Sequence, residues 1–151
     1  MDHSFKAKVH KFCAAEVKWR IESITKQLEE ARASGNNETK SSAGDKHETG
    51  RAMAQLEQES LSKQLGAAQD LLFGLEKIDP DIKHENVSNG ALVQTDNMLL
   101  YFGIALGQIQ VEGTKLFAVS MVSPIGKLLV DAQKDDHFEL NGKPITILEI
   151  V

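Results

Sequence analysis

Cysteine is nearly absent from this chain, which excludes two common ways of stabilising a small protein. Cys13 is the single cysteine among 151 residues, so an internal disulfide and a cysteine-rich zinc site cannot form. The five histidines, at positions 3, 10, 47, 84 and 137, lack the spacing typical of a zinc site. We therefore assign none of them to a metal, and the cysteine usage agrees with a reducing compartment.

Long apolar runs are also missing. No run approaches the roughly 18 residues that a membrane-spanning helix needs, and the first twelve residues lack the apolar core of a secretion signal. A composition of 41% apolar and 26% charged residues is typical of a soluble globular protein. We expect a cytoplasmic protein that has no membrane partner.

Positive charge is scarce overall but unevenly distributed. A net charge of −5 argues against direct binding to duplex DNA, because sequence-independent affinity for nucleic acid comes from lysines and arginines that neutralise phosphates. Residues 1–28 nevertheless carry six basic and three acidic side chains, whereas residues 80–151 carry five basic and nine acidic ones. The cationic segment could lie near RNA or an acidic protein surface, or it could be a solvated helix face.

Two segments have the apolar spacing of a coiled coil. Residues 5–33 contain neither proline nor glycine, and apolar residues recur in steps of four and three, as they do again in residues 51–78. Two matched seams predict two helices that bury each other as an antiparallel hairpin. The seam positions are Val17, Ile21, Ile24, Leu28 and Ala31 in the first segment, and Leu61, Leu65, Ala68, Leu72 and Leu75 in the second.

Helix-ending signals define the hairpin. Residues 34–37, Ser-Gly-Asn-Asn, predict the end of the first helix by C-cap chemistry, and Asp79-Pro80 predicts the end of the second. Gly66 and Gly74 lie inside the second helix, where each costs about 1 kcal/mol relative to alanine. Close approach of the two helices would explain both glycines.

The remainder of the chain has the pattern of a β-sheet. Short apolar segments separated by turn residues predict about five strands. Asn141-Gly142 is a strong hairpin signal, because both central positions of that turn need positive φ. Ser123 and Pro124 predict the start of a short helix. The predicted strands are 91–95, 98–106, 115–122, 137–140 and 144–150.

Two stretches resemble the Gre family of transcription cleavage factors. Residues 122–150 are similar to the family's C-terminal signature, in which Ser-Pro-[Ile/Leu]-Gly opens a small helix and the chain closes on a Leu-Glu-Ile strand. Residues 44–48, Gly-Asp-Lys-His-Glu, are similar to the Gly-Asp-x-x-Glu motif at the end of the family's coiled coil. The resemblance implies an α+β protein with a coiled-coil finger (1–78), a linker (79–89) and an FKBP-like domain (90–151).

The resemblance also implies a function. The finger would enter RNA polymerase through its secondary channel, where Asp45 and Glu48 would help to hold a Mg²⁺ ion shared with the polymerase. The polymerase would then cleave backtracked RNA, so this chain would be an accessory factor with no catalytic residue of its own. Lys46, His47 and Arg51 would contact phosphates near the RNA 3′ end. The residues implied in docking to the polymerase are Ser123, Pro124, Ile125, Gly126 and Lys127.

Several alternatives remain open at this point. Asp45 and Glu48 also fit a helix-capping pair. The tip departs from the family because Lys40 and Lys46 dilute its acidity, and because Gly50 and Arg51 follow where the family usually carries Ala-Glu-Tyr. The chain could therefore bind the channel as an inhibitor or regulator without stimulating cleavage. It could also be a polymerase-independent coiled-coil interaction protein. In the docking segment, Val122 stands where the family has an acidic residue.

Overall fold

Long helices come first in the chain and a β-sheet follows. The computed structural model describes residues 2–40 and 44–151, with all of their side chains except those of 36–40 and 44–48. This order of elements confirms the predicted α+β class. The described elements are α1 (His3–Lys40), α2 (Gly44–Glu76), β1 (Leu92–Thr95), β2 (Leu99–Phe102), β3 (Gly107–Val111), β4 (Thr114–Val119), α3 (Pro124–Leu129), β5 (His137–Leu140) and β6 (Lys143–Ile150).

The chain divides into two compact units. One unit, called the sheet unit below, contains Met1–Ala15 and Phe73–Val151, and the other, called the hairpin unit, is Glu16–Leu72. Each long helix therefore contributes to both units. The segment boundaries 1–78, 79–89 and 90–151 follow changes in sequence pattern, and as domain boundaries they remain a prediction.

The hairpin unit contains the predicted seam. Gln58 Nε2 donates a hydrogen bond to the carbonyl oxygen of Ala31 at 3.4 Å, while Gly35 lies beside Ala54. Residue numbers thus rise along α1, from 31 to 35, where they fall along α2, from 58 to 54. The two helices are therefore antiparallel, as predicted. No helix in the described part of the chain is long and apolar enough to cross a membrane. The seam residues that pack in one cluster are Ile24, Leu28, Ala31, Leu61 and Leu65.

Helix α1 does not end at residues 34–37. It continues to Lys40, so the predicted C-cap is wrong. The physical reason lies at Gly35, where a Cβ atom would stand 3.2 Å from Gln58 Nε2 and 3.6 Å from the Cβ of Ala54. Gly35 thus lets the second helix approach closely and does not terminate the first.

The glycines of α2 have a different environment. A Cβ atom added to Gly66 or Gly74 would meet no atom within 4 Å, so close helix approach does not explain these two residues. Helix α2 ends at Glu76, three residues before the predicted stop at Asp79. The glycine that allows close approach is Gly35 in α1, and not the predicted glycines in α2. Spacing alone does not show which side of a helix faces its partner.

The described strands form a single sheet with one more strand than predicted. Their order is β3-β4-β2-β1-β6-β5, with β2 and β4 parallel and the other neighbours antiparallel. The missed strand is β3, an edge strand in which the buried residues are Ile109 and Val111. Its polar glutamines and leading glycine gave too little apolar signal.

The predicted turn between β5 and β6 is confirmed. Asn141 has φ 52° and Gly142 has φ 79°, and Leu140 pairs with Lys143 across the turn. A second turn of the same kind joins β3 to β4, where Glu112 has φ 49° and Gly113 has φ 80°. Positive φ at both central positions matches the right-handed twist of the flanking strands.

Both faces of the sheet are covered in part. On one face, α3 packs over a buried cluster that includes Leu100, Phe102 and Ile147. On the opposite face lies Tyr101, which meets His10 from the beginning of α1. Because successive strand residues point to opposite faces, neighbouring positions in β2 serve two separate layers.

Candidate functional site

The segment predicted to dock begins at the start of α3. Ser123 is the N-cap residue and Pro124 occupies the first turn, as the sequence predicted. Ser123 Oγ accepts a hydrogen bond from the backbone N–H of Gly126 at 3.1 Å and donates one to the carbonyl oxygen of Ser120 at 2.6 Å. These two bonds join the end of β4 to α3, so Ser123 orients the short helix over the sheet.

Gly126 is required by crowding. A Cβ atom at this position would lie 2.4 Å from the carbonyl oxygen of Ser120 and 2.6 Å from that of Met121. Both neighbours are backbone atoms, which cannot rotate away as a side-chain end can. The glycine of the Ser-Pro-Ile-Gly motif therefore has a structural role, and no larger residue fits without displacement of α3.

The same segment presents other residues to the surface. Pro124 and Lys127 are exposed, while Ile125 is half-buried against the core. Val122, just before the N-cap, is 76% exposed. Of the five predicted docking residues, Ser123 and Gly126 shape the segment, and Pro124, Ile125 and Lys127 are available to a partner.

An apolar groove lies beside the start of α3. Its volume is about 460 Å³, and it lies between α3, the strands β2 and β4, and the β5–β6 turn. Sequence reasoning missed the strand residues of this groove, because they come from distant segments and have no shared motif. The groove is lined by Met98, Leu100, Phe117, Val119, Pro124, Ile125, Leu140 and Asn141.

A partly buried polar contact lies at the opposite face of the sheet. His10 Nδ1 is 2.7 Å from the hydroxyl oxygen of Tyr101, and the two rings meet edge to face with centroids 6.2 Å apart. Burial lowers the pKa of His10, against a smaller opposite effect of Asp79. Burial, with a smaller contribution from Cys13, raises the pKa of Tyr101 far above its usual value. The hydroxyl of Tyr101 donates this hydrogen bond in the tautomer of neutral His10 whose Nδ1 carries no proton.

Lys6 is fully buried one helical turn before His10. Its Nζ donates a hydrogen bond to the carbonyl oxygen of Ile82 at 2.5 Å. Burial lowers the pKa of Lys6, while the carboxylates of Asp81 and Asp79 act in the opposite direction. This pattern is that of a structural anchor between the beginning of α1 and the segment after α2, and the sequence offered no signal for it beyond the basic bias of residues 1–28.

The tip residues lie mostly outside the described side chains. Helix α2 begins at Gly44, which places the backbone of Asp45 and Glu48 near its start. The side chains of Asp45, Lys46, His47 and Glu48 are not among those that the structure describes, so their roles remain predictions. Arg51 is described and exposed on α2.

Within residues 2–35 and 49–151, whose side chains are described, no group of three or more His, Cys, Asp or Glu residues could hold a metal ion. The predicted Mg²⁺ ligands, Asp45 and Glu48, lie outside that range. Carboxylates remain suitable donors for Mg²⁺, which prefers oxygen ligands.

Comparison with known proteins found a similar solved structure. No protein-family model matches the chain, and a search of curated proteins found no match. The chain is similar to a solved structure of the transcription factor Gfh1, a Gre-family protein. The identity is 16%, the alignment covers 91% of this chain and 92% of that chain, and the TM-score is 0.38. A likeness at this level does not by itself assign fold or function, so the Gre resemblance rests on residues 44–48 and 122–150.

Proposed function

We propose that this chain is a Gre-like transcription elongation factor that acts on RNA polymerase. In this proposal it is a cytoplasmic accessory protein and not an enzyme. Its coiled-coil finger enters the secondary channel, its FKBP-like domain docks outside, and the polymerase active site cleaves the backtracked transcript. The fold class and the motif at the start of α3 are consistent with this role.

The observation that carries the proposal is the geometry of residues 123–127. Ser123 caps α3, Gly126 has no room for a side chain, and Pro124 stands exposed at the edge of an apolar groove. The segment that resembles a docking motif thus lies beside a recess and has exposed apolar atoms. Such a surface, with an apolar centre and charged edge, suits a protein partner.

The tip would supply the chemistry. Asp45 and Glu48 would add carboxylate oxygens to a Mg²⁺ ion held by the polymerase, while Lys46, His47 and Arg51 would contact phosphates near the RNA 3′ end. A metal ion near the attacking water lowers its pKa and stabilises the departing oxygen. This chain would lend ligands, and all bond breaking would occur at the polymerase.

A second candidate function is channel binding without cleavage stimulation. The specific observation that favours it is Arg51, which is exposed on α2 close to the tip and, with Gly50, follows where the Gre family usually carries Ala-Glu-Tyr. A positive side chain there reduces the negative charge delivered to the metal site. The chain would then act as an inhibitor or regulator that competes for the channel.

The proposal is tested in two steps on the full chain. In the first, core RNA polymerase is captured on immobilised protein, and Pro124→Glu is compared with Ile82→Glu. Pro124→Glu should abolish capture, because it places a charge at the edge of the groove, and glutamate is tolerated in a first helical turn. Ile82 is also exposed but lies outside the groove lining, so Ile82→Glu should bind normally. No capture by the unmodified chain would favour a polymerase-independent interaction protein.

The second step measures transcript cleavage in stalled elongation complexes. The double variant Asp45→Ala and Glu48→Ala should bind the polymerase normally and lose stimulation of cleavage. A thermal melt of the same variant separates ligation from capping, because lost caps cost about 1 kcal/mol each. Intact binding with no stimulation by the unmodified chain would select the inhibitor candidate.

A further inference from the structure

The edge of the sheet at β3 presents backbone groups that have no partner strand. β3 lies at one end of the strand order, and among the described strands it pairs with β4 alone. Val111 and Thr114 flank a two-residue turn, so they form a hydrogen-bonded pair, and alternation along the ladder makes Ile109 part of the next one. The backbone N–H and C=O groups of Gln108 and Gln110 therefore point away from β4.

The space beside this edge is open. Gln108 and Gln110 are exposed, and a Cβ atom added to Gly107 would meet no atom within 4 Å. Ile109 and Val111 point to the other face of the sheet, where they are buried. The strand is thus held in place on one face while its outer edge stays accessible.

The two edge strands of the sheet differ in how they are protected. β5 carries Glu139 and follows Asp135 and Asp136, and charges at an edge discourage pairing with a further strand. β3, with the sequence Gly-Gln-Ile-Gln-Val, contains neither a charge nor a proline. Its pairing with β4 runs without a register shift, so no bulge twists the edge away. β3 therefore lacks the usual features that prevent strand pairing.

We propose that β3 pairs in antiparallel orientation with β3 of a second copy of this chain, joining the two sheets into one. The pairing is centred on Ile109, so that Gln108 lies opposite Gln110 of the partner subunit. Residues whose N–H and C=O groups both face outward then meet, which allows about four backbone hydrogen bonds around the two-fold axis. The groove beside α3 takes no part in this contact.

The sequence of β3 favours a second copy over another partner. Gln-Ile-Gln reads the same in both directions, so a two-fold axis at Ile109 brings a glutamine opposite a glutamine on both sides. The glutamine amide is both donor and acceptor, so such a pair can hydrogen-bond. A strongly charged partner strand would find no complementary charge on β3.

Charge repulsion between the two copies is small at this edge. The whole chain has a net charge of −5, but the paired strands bring no like charges together. Glu112 in the β3–β4 turn is already paired with Lys8, at 3.0 Å between Oε1 and Nζ. Lys115 is the cross-strand neighbour of Gln110, which places it one strand away from the new pair.

The association should be weak and reversible. A strand of five residues offers less contact than the standard interface of about 1,600 Å², and its apolar side chains are already buried. Both edges are preformed, which lowers the cost of ordering them. We expect a dissociation constant of about 0.1–1 mM, measured by sedimentation equilibrium of the full chain over a range of concentrations.

Gln110→Pro tests the edge without disturbing the β3–β4 ladder. The N–H that proline lacks points outward, and proline is tolerated on the outer side of an edge strand. This variant should remain folded by circular dichroism and raise the dissociation constant at least about tenfold. Gln110→Thr is the matched control, because it keeps the N–H and a residue that favours strands, and it should still associate.

The antiparallel register is tested with two charged double variants. One carries Gln108→Lys and Gln110→Lys, and the other carries Gln108→Glu and Gln110→Glu. Each alone should fail to associate, because position 108 meets position 110 of the other copy and like charges would be opposed. An equimolar mixture should associate again, since lysine then meets glutamate.

The outcomes separate this inference from the proposed function. A monomer at every concentration up to about 1 mM, or association that persists in Gln110→Pro, would overturn the pairing. Association by each charged variant alone would do the same. Amide exchange at Gln108 and Gln110 that slows only when polymerase is added would assign the edge to another protein and reject a second copy. Pairing of the unmodified chain without polymerase capture would keep the inference and reject the function.

Discussion

Two helical glycines, Gly66 in the hairpin unit and Gly126 in the sheet unit, have opposite surroundings. In the hairpin unit, Gly66 lies in open space, where a methyl group would touch nothing within 4 Å. In the sheet unit, Gly126 is surrounded by backbone carbonyl groups. A long two-helix contact leaves outer faces free, whereas a short helix over a sheet is enclosed by the strand that leads into it. Position 126 should therefore tolerate an added side chain much less well than position 66.

The largest effect is expected for Gly126→Ala. A Cβ atom 2.4 Å from a backbone oxygen forces α3 away from the sheet, and overpacking of this kind costs about 3 kcal/mol. Urea unfolding followed by the amide NMR signals of β2 and β4 measures the loss in the sheet unit alone. A cost below about 0.5 kcal/mol, the usual range for an uncrowded surface position, would show that the crowding is absent.

A smaller loss is expected for Leu28→Ala in the hairpin unit. Leu28 is buried with Ala31 and Leu61, and leucine-to-alanine changes in cores cost about 2–5 kcal/mol. The lower end applies here, because a thin two-helix contact can collapse around the lost atoms. Leu56→Ala is the control, since Leu56 is 65% exposed, and it should change stability by less than about 0.5 kcal/mol. Equal losses of stability in the two variants would contradict the packing of Leu28 between the two helices.

Gly66→Ala should stabilise the hairpin unit. The added methyl group meets no neighbour, and alanine in a helix is favoured over glycine by about 1 kcal/mol. The gain should be visible as a higher urea midpoint of the helical signal at 222 nm. Destabilisation by this variant would mean that α2 packs more closely around Gly66 than the structure shows.

The smallest expected effect is a pH dependence confined to the sheet unit. Burial lowers the folded-state pKa of His10, so on acidification the unfolded chain takes up this proton first. Stability is then complete above the ordinary histidine pKa of about 6.5 and falls as the pH drops below it, levelling off below the folded-state pKa. A protonated imidazole carries a proton on Nδ1, so it can only donate a hydrogen bond to the Tyr101 hydroxyl.

Thermal melts on either side of pH 6.5 should show this loss. His84, whose pKa is also lowered by burial and by Lys6, contributes in the same direction. His10→Gln should reduce the pH dependence without removing it. An unchanged pH dependence in that variant would assign the whole effect to other groups.

The parts of the fold that follow local patterns were predictable. The hairpin seam appears in the sequence because each apolar position repeats at helical spacing, and the structure buries Leu28, Ala31 and Leu61 as expected. The Asn141-Gly142 turn and the Ser123 cap were predictable because each depends on a few adjacent residues. The edge strand β3 was missed because only one of its faces is buried. The end of α1 was misplaced because Gly35 is there to allow close approach of α2 and does not end the helix.

Only the part of the candidate site that lies in one short segment was predictable. The motif at residues 123–127 was visible, whereas Met98, Phe117 and Leu140 came to the same groove through strand pairing. The roles of Asp45 and Glu48 stay predictions, because they depend on side chains outside the described set and on a partner.

For this protein, the sequence by itself determined the antiparallel hairpin, the α+β order and the local form of the start of α3. Those features depend on periodicity and capping within short segments, where each residue acts mainly on its neighbours. Only the tertiary structure decided that Gly126 has no room for a side chain, that Lys6 is buried and His10 half-buried, and that Met98, Phe117 and Leu140 line one apolar groove. Such features depend on which distant segments lie side by side, and strand register and sheet order, not local propensity, set that arrangement.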